Sequence, residues 1–198
     1  IVMEQRIAQF TRKTEETDIA CRLNLDGTGI AQVETGIAFF DHMLNAFTKH
    51  ARFDLELSCE GDLGVDDHHC VEDCALVMGR CFDEALAKRE GITRFGSAHV
   101  PLDEALCRAA VDLSGRPYPA IDLGLERERL GALSCENIAH FFESFAVTAR
   151  VALHVDMLKG RNDHHRSEAA FKAVAAALRQ AVARGDTDSV PSTKGVLA

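Results

Sequence analysis

Two decapeptides carry the same unusual string. GVDDHHCVED (64–73) and GRNDHHRSEA (160–169) both read Asp-His-His-x-x-Glu, with a glycine four residues before the first histidine. Adjacent histidines followed by a glutamate are costly to bury without partners, and a single pair is ordinarily a solvated or capping feature. Two copies with the same spacing need another explanation. On a helix, residues i and i+4 share a face while neighbours diverge by about 100°. His68 and Glu72 can therefore grip one ion together while His69 points elsewhere, and His164, Glu168 and His165 repeat the arrangement. A symmetric pairing follows. One site takes His164 and Glu168 plus the divergent His69, the other takes His68 and Glu72 plus His165, and His42 and His140 each supply a fourth ligand. Three imidazoles and one carboxylate, with no thiolate, suit six-coordinate Mn²⁺ or Fe²⁺ better than structural zinc. His50, His99 and His154 have no counterpart in the repeat, and core or surface roles are expected for them.

The segments around these histidines also match. LELSCEGDLGVDDHH from Leu55 faces VALHVDMLKGRNDHH from Val151 at an offset of 96, so Leu55 meets Val151, Leu57 meets Leu153 and Gly64 meets Gly160. Each stretch reads as a strand that turns through glycine into a helix. Asp66 or Asp67 can cap the first helix, and Asn162 or Asp163 the second. Val71, Ala75, Met78 and Phe82 give the first an apolar face, as Phe171, Val174, Leu178 and Ala181 do the second. Gly91 and Gly185 are expected to end them. His42 precedes His68 by 26 residues and His140 precedes His164 by 24, each followed five residues on by a phenylalanine. RLNLDG and AAVDLSG are alternating segments that end at glycine turns. Each half thus reads strand, hairpin turn, strand, helix, strand, helix. The predicted fold class is α+β: an internal duplication of roughly 90 residues per half, with halves at about 1–93 and 94–187 and a tail at 188–198. Each half would carry helices over one face of a small sheet, and the two could pack helix layer to helix layer.

Composition narrows the function. The chain has 198 residues, 46% hydrophobic and 27% charged, enough for a real core. Its net charge of -9 argues against nucleic acid or an anionic membrane as a general partner, so an anionic substrate would need local basic residues. No apolar run reaches membrane length and the first ten residues lack the layout of a secretory signal, so a cytoplasmic location is expected. Seven cysteines at irregular spacing, mostly in apolar periodic segments, read as buried free thiols.

FFDHMLNAFTKH, GDLGVDDHHCVED, VDLSGRPY, HFFESF, LKGRNDHHRSEAAFKA and PSTKG together closely resemble the imidazoleglycerol-phosphate dehydratases of histidine biosynthesis. The resemblance runs from about Arg12 to Leu197. It implies two halves related to domain 2 of ribosomal protein S5, two Mn²⁺ per active site, and a 24-subunit homo-oligomer with active sites between subunits. It also implies loss of water from imidazole glycerol phosphate to give imidazole acetol phosphate. Carried over by position, one metal falls to His42, His69, His164 and Glu168 and the other to His68, Glu72, His140 and His165, which agrees with the helix argument. Glu16, His42, Arg94, Arg116, Ser192, Thr193 and Lys194 match positions that hold substrate. Cys70, where the family often has threonine, and Cys74-Ala75, where a glycine is common, depart from the pattern behind the ligands.

Substrate chemistry gives these residues work to do. The C2 proton of the glycerol chain has no neighbouring carbonyl, so a simple base cannot remove it at a useful rate. A ring held as imidazolate between two metals could expel the adjacent hydroxyl and pass through a diazafulvene, with the metals as Lewis acids and template. Glu16, or a ligand carboxylate such as Glu168, would then take the C2 proton. Arg94, Arg116 and Lys194 would hold the phosphate, with hydroxyls from Ser192 and Thr193. Two other functions use similar ligands: a dinuclear metallohydrolase, and a metal-binding shell protein without catalysis, which needs neither the arginines nor the lysine.

Overall fold

Strand residues alternate between buried and exposed, and that alternation sets how each sheet meets its helices. The computed structural model describes residues 5–185 and 189–197. In the first half β1 (Ile7–Lys13), β2 (Thr17–Asn24), β3 (Ala31–Glu34) and β4 (Asp54–Gly61) form a sheet in the order β1-β2-β4-β3. Helix α1 (Ala38–Ala51) is the crossover between the parallel pair β3 and β4, and α2 (His68–Leu86) follows β4. In the second half β5 (Phe95–Leu102), β6 (Ala105–Asp112), β7 (Tyr118–Asp122) and β10 (Ala152–Lys159) repeat that order as β5-β6-β10-β7. There α3 (Cys135–Thr148) is the crossover between β7 and β10, and α4 (Asp163–Ala181) follows β10. The two-residue strands β8 (Arg129–Leu130) and β9 (Leu133–Ser134) form a small hairpin ahead of α3. The duplicated α+β architecture is as expected, with one addition. Each half contains a third strand, β3 or β7, before its crossover helix, where the sequence suggested none. These strands are short edges with half-exposed residues, so they lack the apolar signal of the central strands.

The strand pairings also correct the offset between repeats. Leu55 pairs with Leu23 and Leu153 with Val111, at matching places in the two sheets, so Leu55 corresponds to Leu153 and not to Val151. The offset is 98 between β4 and β10 and 96 between α2 and α4. The first half therefore has two extra residues between its last strand and its His-His pair.

The four helices lie between the two sheets. Helix α2 packs on β1, β2 and β4, and α4 on β5, β6 and β10. Across the halves α2 meets α3 and α1 meets α4. Ile19, Cys21, Leu23, Leu55 and Leu57 point inward from one sheet, and Cys107, Ala109, Val111, Leu153 and Val155 from the other. Phenylalanines stitch the helices together: Phe40 of α1 lies 5.4 Å from Phe141 of α3, and Phe82 of α2 lies 5.6 Å from Phe145 of α3, edge to face. Truncating one such ring to alanine costs about 3–5 kcal/mol. The approach of α2 to α3 is close enough that a Cβ at Gly79 would stand 2.1 Å from Thr148 Oγ1 and 2.7 Å from the Phe145 carbonyl oxygen.

The predicted apolar faces of α2 and α4 are fully buried. The His68 amide donates to Asp66 Oδ1 at 2.9 Å, and the His164 amide to Asn162 Oδ1 at 2.9 Å. Asp67 and Asp163 are buried and serve other donors. Asp67 accepts from the amide and hydroxyl of Ser134 at 2.6 and 2.7 Å, and Asp163 from the amides of Glu126 and Arg127 at 2.9 and 2.6 Å. Gly91 and Gly185 do not terminate the helices. α2 stops at Leu86 with Ala87 at φ 49°, α4 stops at Ala181, and the two glycines bond to each other further on, Gly185 N to the Gly91 carbonyl at 2.9 Å. All seven cysteines are buried and free. The expected boundary at 187–188 falls outside the described residues.

Candidate metal centre

Because helices meet across the halves, each donor cluster is built from both. His42 lies on α1 and faces α4, which supplies His164 and Glu168. His140 lies on α3 and faces α2, which supplies His68 and Glu72. In each group the three donor atoms lie within 4.8 Å of one another. His42 Nε2 and His164 Nε2 stand 3.5 and 3.3 Å from Glu168 Oε2. In the other group His140 Nε2 stands 3.0 Å from Glu72 Oε1 and His68 Nε2 3.9 Å from Glu72 Oε2, with the two rings stacked at 4.9 Å. Nitrogen and oxygen donors converging in threes, half exposed and without thiolates, fit a hard or borderline divalent ion.

Six of the eight expected ligands are thus gathered within one chain. His69 and His165 are not; they point away from the clusters, as the 100° step requires. His69 Nδ1 faces Asp62 Oδ2 at 3.0 Å, and its Nε2 lies 3.7 Å from Glu16 Oε1. His165 Nδ1 faces Glu104 Oε2 at 2.7 Å, and its Nε2 lies 3.8 Å from Asp103 Oδ2. These carboxylates raise the pKa of both histidines, Asp62 chiefly for His69 and Glu104 chiefly for His165. Glu104 is in turn held down to about 2 by His165 and by the Asn162 and Arg161 amides. Glu168 is lowered as well: burial pushes it up, but the Lys172 ammonium, 2.7 Å from Oε1, and the nearby histidines outweigh that.

The remaining predicted residues lie apart from the clusters. Glu16 is exposed in the β1–β2 turn. Arg94, at φ 75°, makes a two-point ion pair with Asp112 at 2.8 and 3.2 Å and donates from Nη1 to the Pro191 carbonyl at 2.8 Å, so it also fastens the tail. Arg116 is exposed in the turn between β6 and β7. Ser192, Thr193 and Lys194 form a turn in which the Gly195 amide donates to the Ser192 carbonyl at 3.0 Å and the Lys194 amide to Ser192 Oγ at 3.2 Å. His154 stacks on Tyr118 at 5.9 Å on the outer face of the second sheet, away from the donors.

Four participants escaped the sequence reading, among them Asp62, which follows β4 and faces His69. Lys172 was findable, four residues after Glu168 on the same helix face. Asn137, whose Oδ1 lies 3.1 Å from His68 Nδ1, stands three residues before His140 and offered a weaker signal. Glu104 becomes visible only when the repeat is aligned strand by strand.

A family model described as imidazoleglycerol-phosphate dehydratase matches residues 35–178. The chain belongs to the imidazoleglycerol-phosphate dehydratase family. It is 61% identical over 193 residues to the imidazoleglycerol-phosphate dehydratase of Phytophthora nicotianae, covering 98% of this chain and 43% of that protein. The chain therefore spans less than half of that relative's length. With the Kluyveromyces lactis enzyme the identity is 55% over 183 residues, 92% of this chain and 82% of the relative. Two solved dehydratases share the fold at 34% identity. The Staphylococcus aureus structure has a TM-score of 0.79 and covers 90% of this chain and 99% of its own. The Pyrococcus furiosus structure, in complex with (S)-C348, has a TM-score of 0.81 and covers 95% and 100%.

Proposed function

We infer that this chain dehydrates imidazole glycerol phosphate to imidazole acetol phosphate in histidine biosynthesis, as a hydro-lyase. The observation that carries the reading is the pair of repeat-related His₂Glu clusters, each assembled across the two halves, in a member of this family. His42, His164 and Glu168 with His69, and His68, Glu72 and His140 with His165, would each hold a divalent ion, Mn²⁺ in our reading. Since His69 and His165 diverge from the clusters of their own chain, the fourth ligand of each site would come from a neighbouring subunit. That is in keeping with a closed homo-oligomer of 24 subunits whose active sites lie between chains. A cytoplasmic home agrees with seven buried, unpaired cysteines.

When bound, the two ions supply Lewis-acid stabilisation to the substrate's imidazole ring. The chain's own residues do the rest. Arg94 presents a planar guanidinium, fixed by Asp112 and backed by the Pro191 carbonyl, with N–H groups to spare for a phosphate oxygen. Arg116 and Lys194 add charge from flanking turns, and Ser192 and Thr193 add hydroxyls. Glu16 is exposed beside His69, which would complete a site on a neighbouring chain, and it is outside both ligand sets, so its carboxylate would be free there to take the C2 proton. The C3 hydroxyl and the C2 proton together make up the water lost, and the enol relaxes to the ketone.

Incubating the Mn²⁺-loaded protein with imidazole glycerol phosphate tests the reading. Accumulation of the ketone with phosphate retained is expected. Release of phosphate instead would indicate a hydrolase, and no turnover with metal retained would indicate a storage shell.

A further inference from the structure

Each chain exports two imidazoles, and each is gripped from behind by one carboxylate. Glu104 Oε2 holds His165 Nδ1 at 2.7 Å, while Glu104 Oε1 accepts the amides of Arg161 and Asn162 at 3.1 and 2.8 Å. Both oxygens of that carboxylate are thus committed. Asp62 holds His69 Nδ1 at 3.0 and 3.3 Å, and its own amide donates to the Glu16 carbonyl at 3.1 Å. A carboxylate at Nδ1 keeps the proton there, leaving the Nε2 lone pair outward and fixing the ring plane.

The two holders come from places that do not correspond. Glu104 immediately precedes β6; its counterpart, immediately preceding β2, is Glu16. Glu16 does not grip Nδ1 of His69 but stands 3.7 Å from Nε2. Asp62 immediately follows β4, and with Leu55 matched to Leu153 its counterpart is Gly160. A Cβ at Gly160 would lie 2.8 Å from Arg166 Cγ and 3.1 Å from Ala105 Cβ, so the second half has no room for a carboxylate there. The halves have solved one problem with different residues.

We propose that Glu104 and Asp62 are positioning residues that set the tautomer and direction of His165 and His69, the imidazoles presented to metal sites on neighbouring subunits, and that Asp62 thereby leaves Glu16 unencumbered at the reacting end. The proposal rests on the ligand sets given under Proposed function. Removing a carboxylate that orients a metal-bound histidine costs on the order of 10–100-fold in metal affinity.

Glutamine at 104 makes the test sharp. Its carbonyl oxygen would take the Arg161 and Asn162 amides, turning its NH₂ toward His165 Nδ1 and favouring the tautomer with Nε2 protonated. Alanine leaves the ring free to choose. On the assembled Mn²⁺ protein, chelator competition should show Glu104→Gln weakening one of two ions by about 10–100-fold, and Glu104→Ala weakening the same ion less, although alanine loses more loop contacts. Asp62→Asn should weaken the other ion. His165→Ala and His69→Ala serve as references, each losing one ion. Glu104→Gln with both ions held at parental affinity, while His165→Ala loses one, would overturn the proposal. An ordering in which alanine is worse than glutamine would reduce Glu104 to a loop anchor and overturn it too. If His165→Ala itself keeps both ions, the ligand sets fall and the proposal falls with them, whereas the turnover assay tests the dehydratase reading independently.

Discussion

His42, His164 and Glu168 sit between a phenylalanine and a lysine; His68, Glu72 and His140 sit between an asparagine and a glutamate. Phe39 packs edge-on against His164 at 5.0 Å, and Lys172 pairs with Glu168. At the corresponding positions of the other cluster stand Asn137, bonded to His68, and Leu76. Asn137 Oδ1 faces His68 Nδ1 at 3.1 Å, where it would accept that nitrogen's proton and leave Nε2 toward the cluster. Glu143 lies 3.6 Å from His140. The donors are the same in kind and spacing because one helix motif was duplicated. Their neighbours diverged, so one carboxylate must be shared with an ammonium while the other cluster has a histidine aimed in advance. The two ions should therefore differ in affinity, with the Asn137 side the tighter.

The largest effect should appear at the turns, where the halves differ most. Glu16→Gln should keep both ions, the assembly and substrate binding, yet lose on the order of 10²–10⁴ in kcat, the scale of general acid–base catalysis. Near-normal turnover would hand the role to another group, such as Glu168. Next comes the helix contact. Gly79→Ala forces a methyl against Thr148 and the Phe145 carbonyl, and overpacking of this kind costs about 1–3 kcal/mol. Thermal melts should fall accordingly, and the ion at His68, Glu72 and His140 should weaken first because α2 and α3 carry its ligands. Equal weakening of both ions would deny that the clusters report on separate helix pairs.

Lys172→Met should sharpen the contrast by relieving Glu168 of its competitor. Metal affinity at that cluster should rise by roughly 2–5-fold, the scale of a partly screened ion pair, with the other ion unchanged in isothermal titration. The smallest effect concerns acid. Burial raises Asp67 and Asp163, but hydrogen bonds from Ser134 and Asn137 to the first, and from the Arg127 and Glu126 amides and Arg166 to the second, leave both below the ordinary carboxylate value. A depressed folded pKa contributes stability that is present above the unfolded value near 4 and lost as pH falls through the folded one. Asp67→Asn and Asp163→Asn should each flatten the decline of Tm below about pH 4, and an unchanged acid limb would contradict these bonds.

Much of this was legible in the sequence. The i, i+4 spacing of His68 and Glu72, and of His164 and Glu168, fixes shared faces whatever the tertiary context, and the buried stripes of α2 and α4 followed from period. β3 and β7 were not legible, because four or five half-exposed residues at a sheet edge carry little apolar pattern. Layer-on-layer packing was expected, but periodicity did not say which helix meets which; the meeting of α1 with α4 and α2 with α3 followed only from the ligand sets that the resemblance implied. Asp62 and Glu104 sit in loops whose direction only the strand register reveals, and they occupy places in the two halves that do not correspond.

Completion of each metal site by a neighbouring chain is the central claim, and the double variant His69→Ala, His165→Ala tests it most directly. Native mass spectrometry of the parent should show a large closed particle with two Mn²⁺ per chain. The variant keeps both three-donor clusters, yet should yield smaller species that lose their ions to a mild chelator, since binding and assembly are linked. A variant of parental mass that still holds two ions per chain tightly would show that each chain completes its own sites.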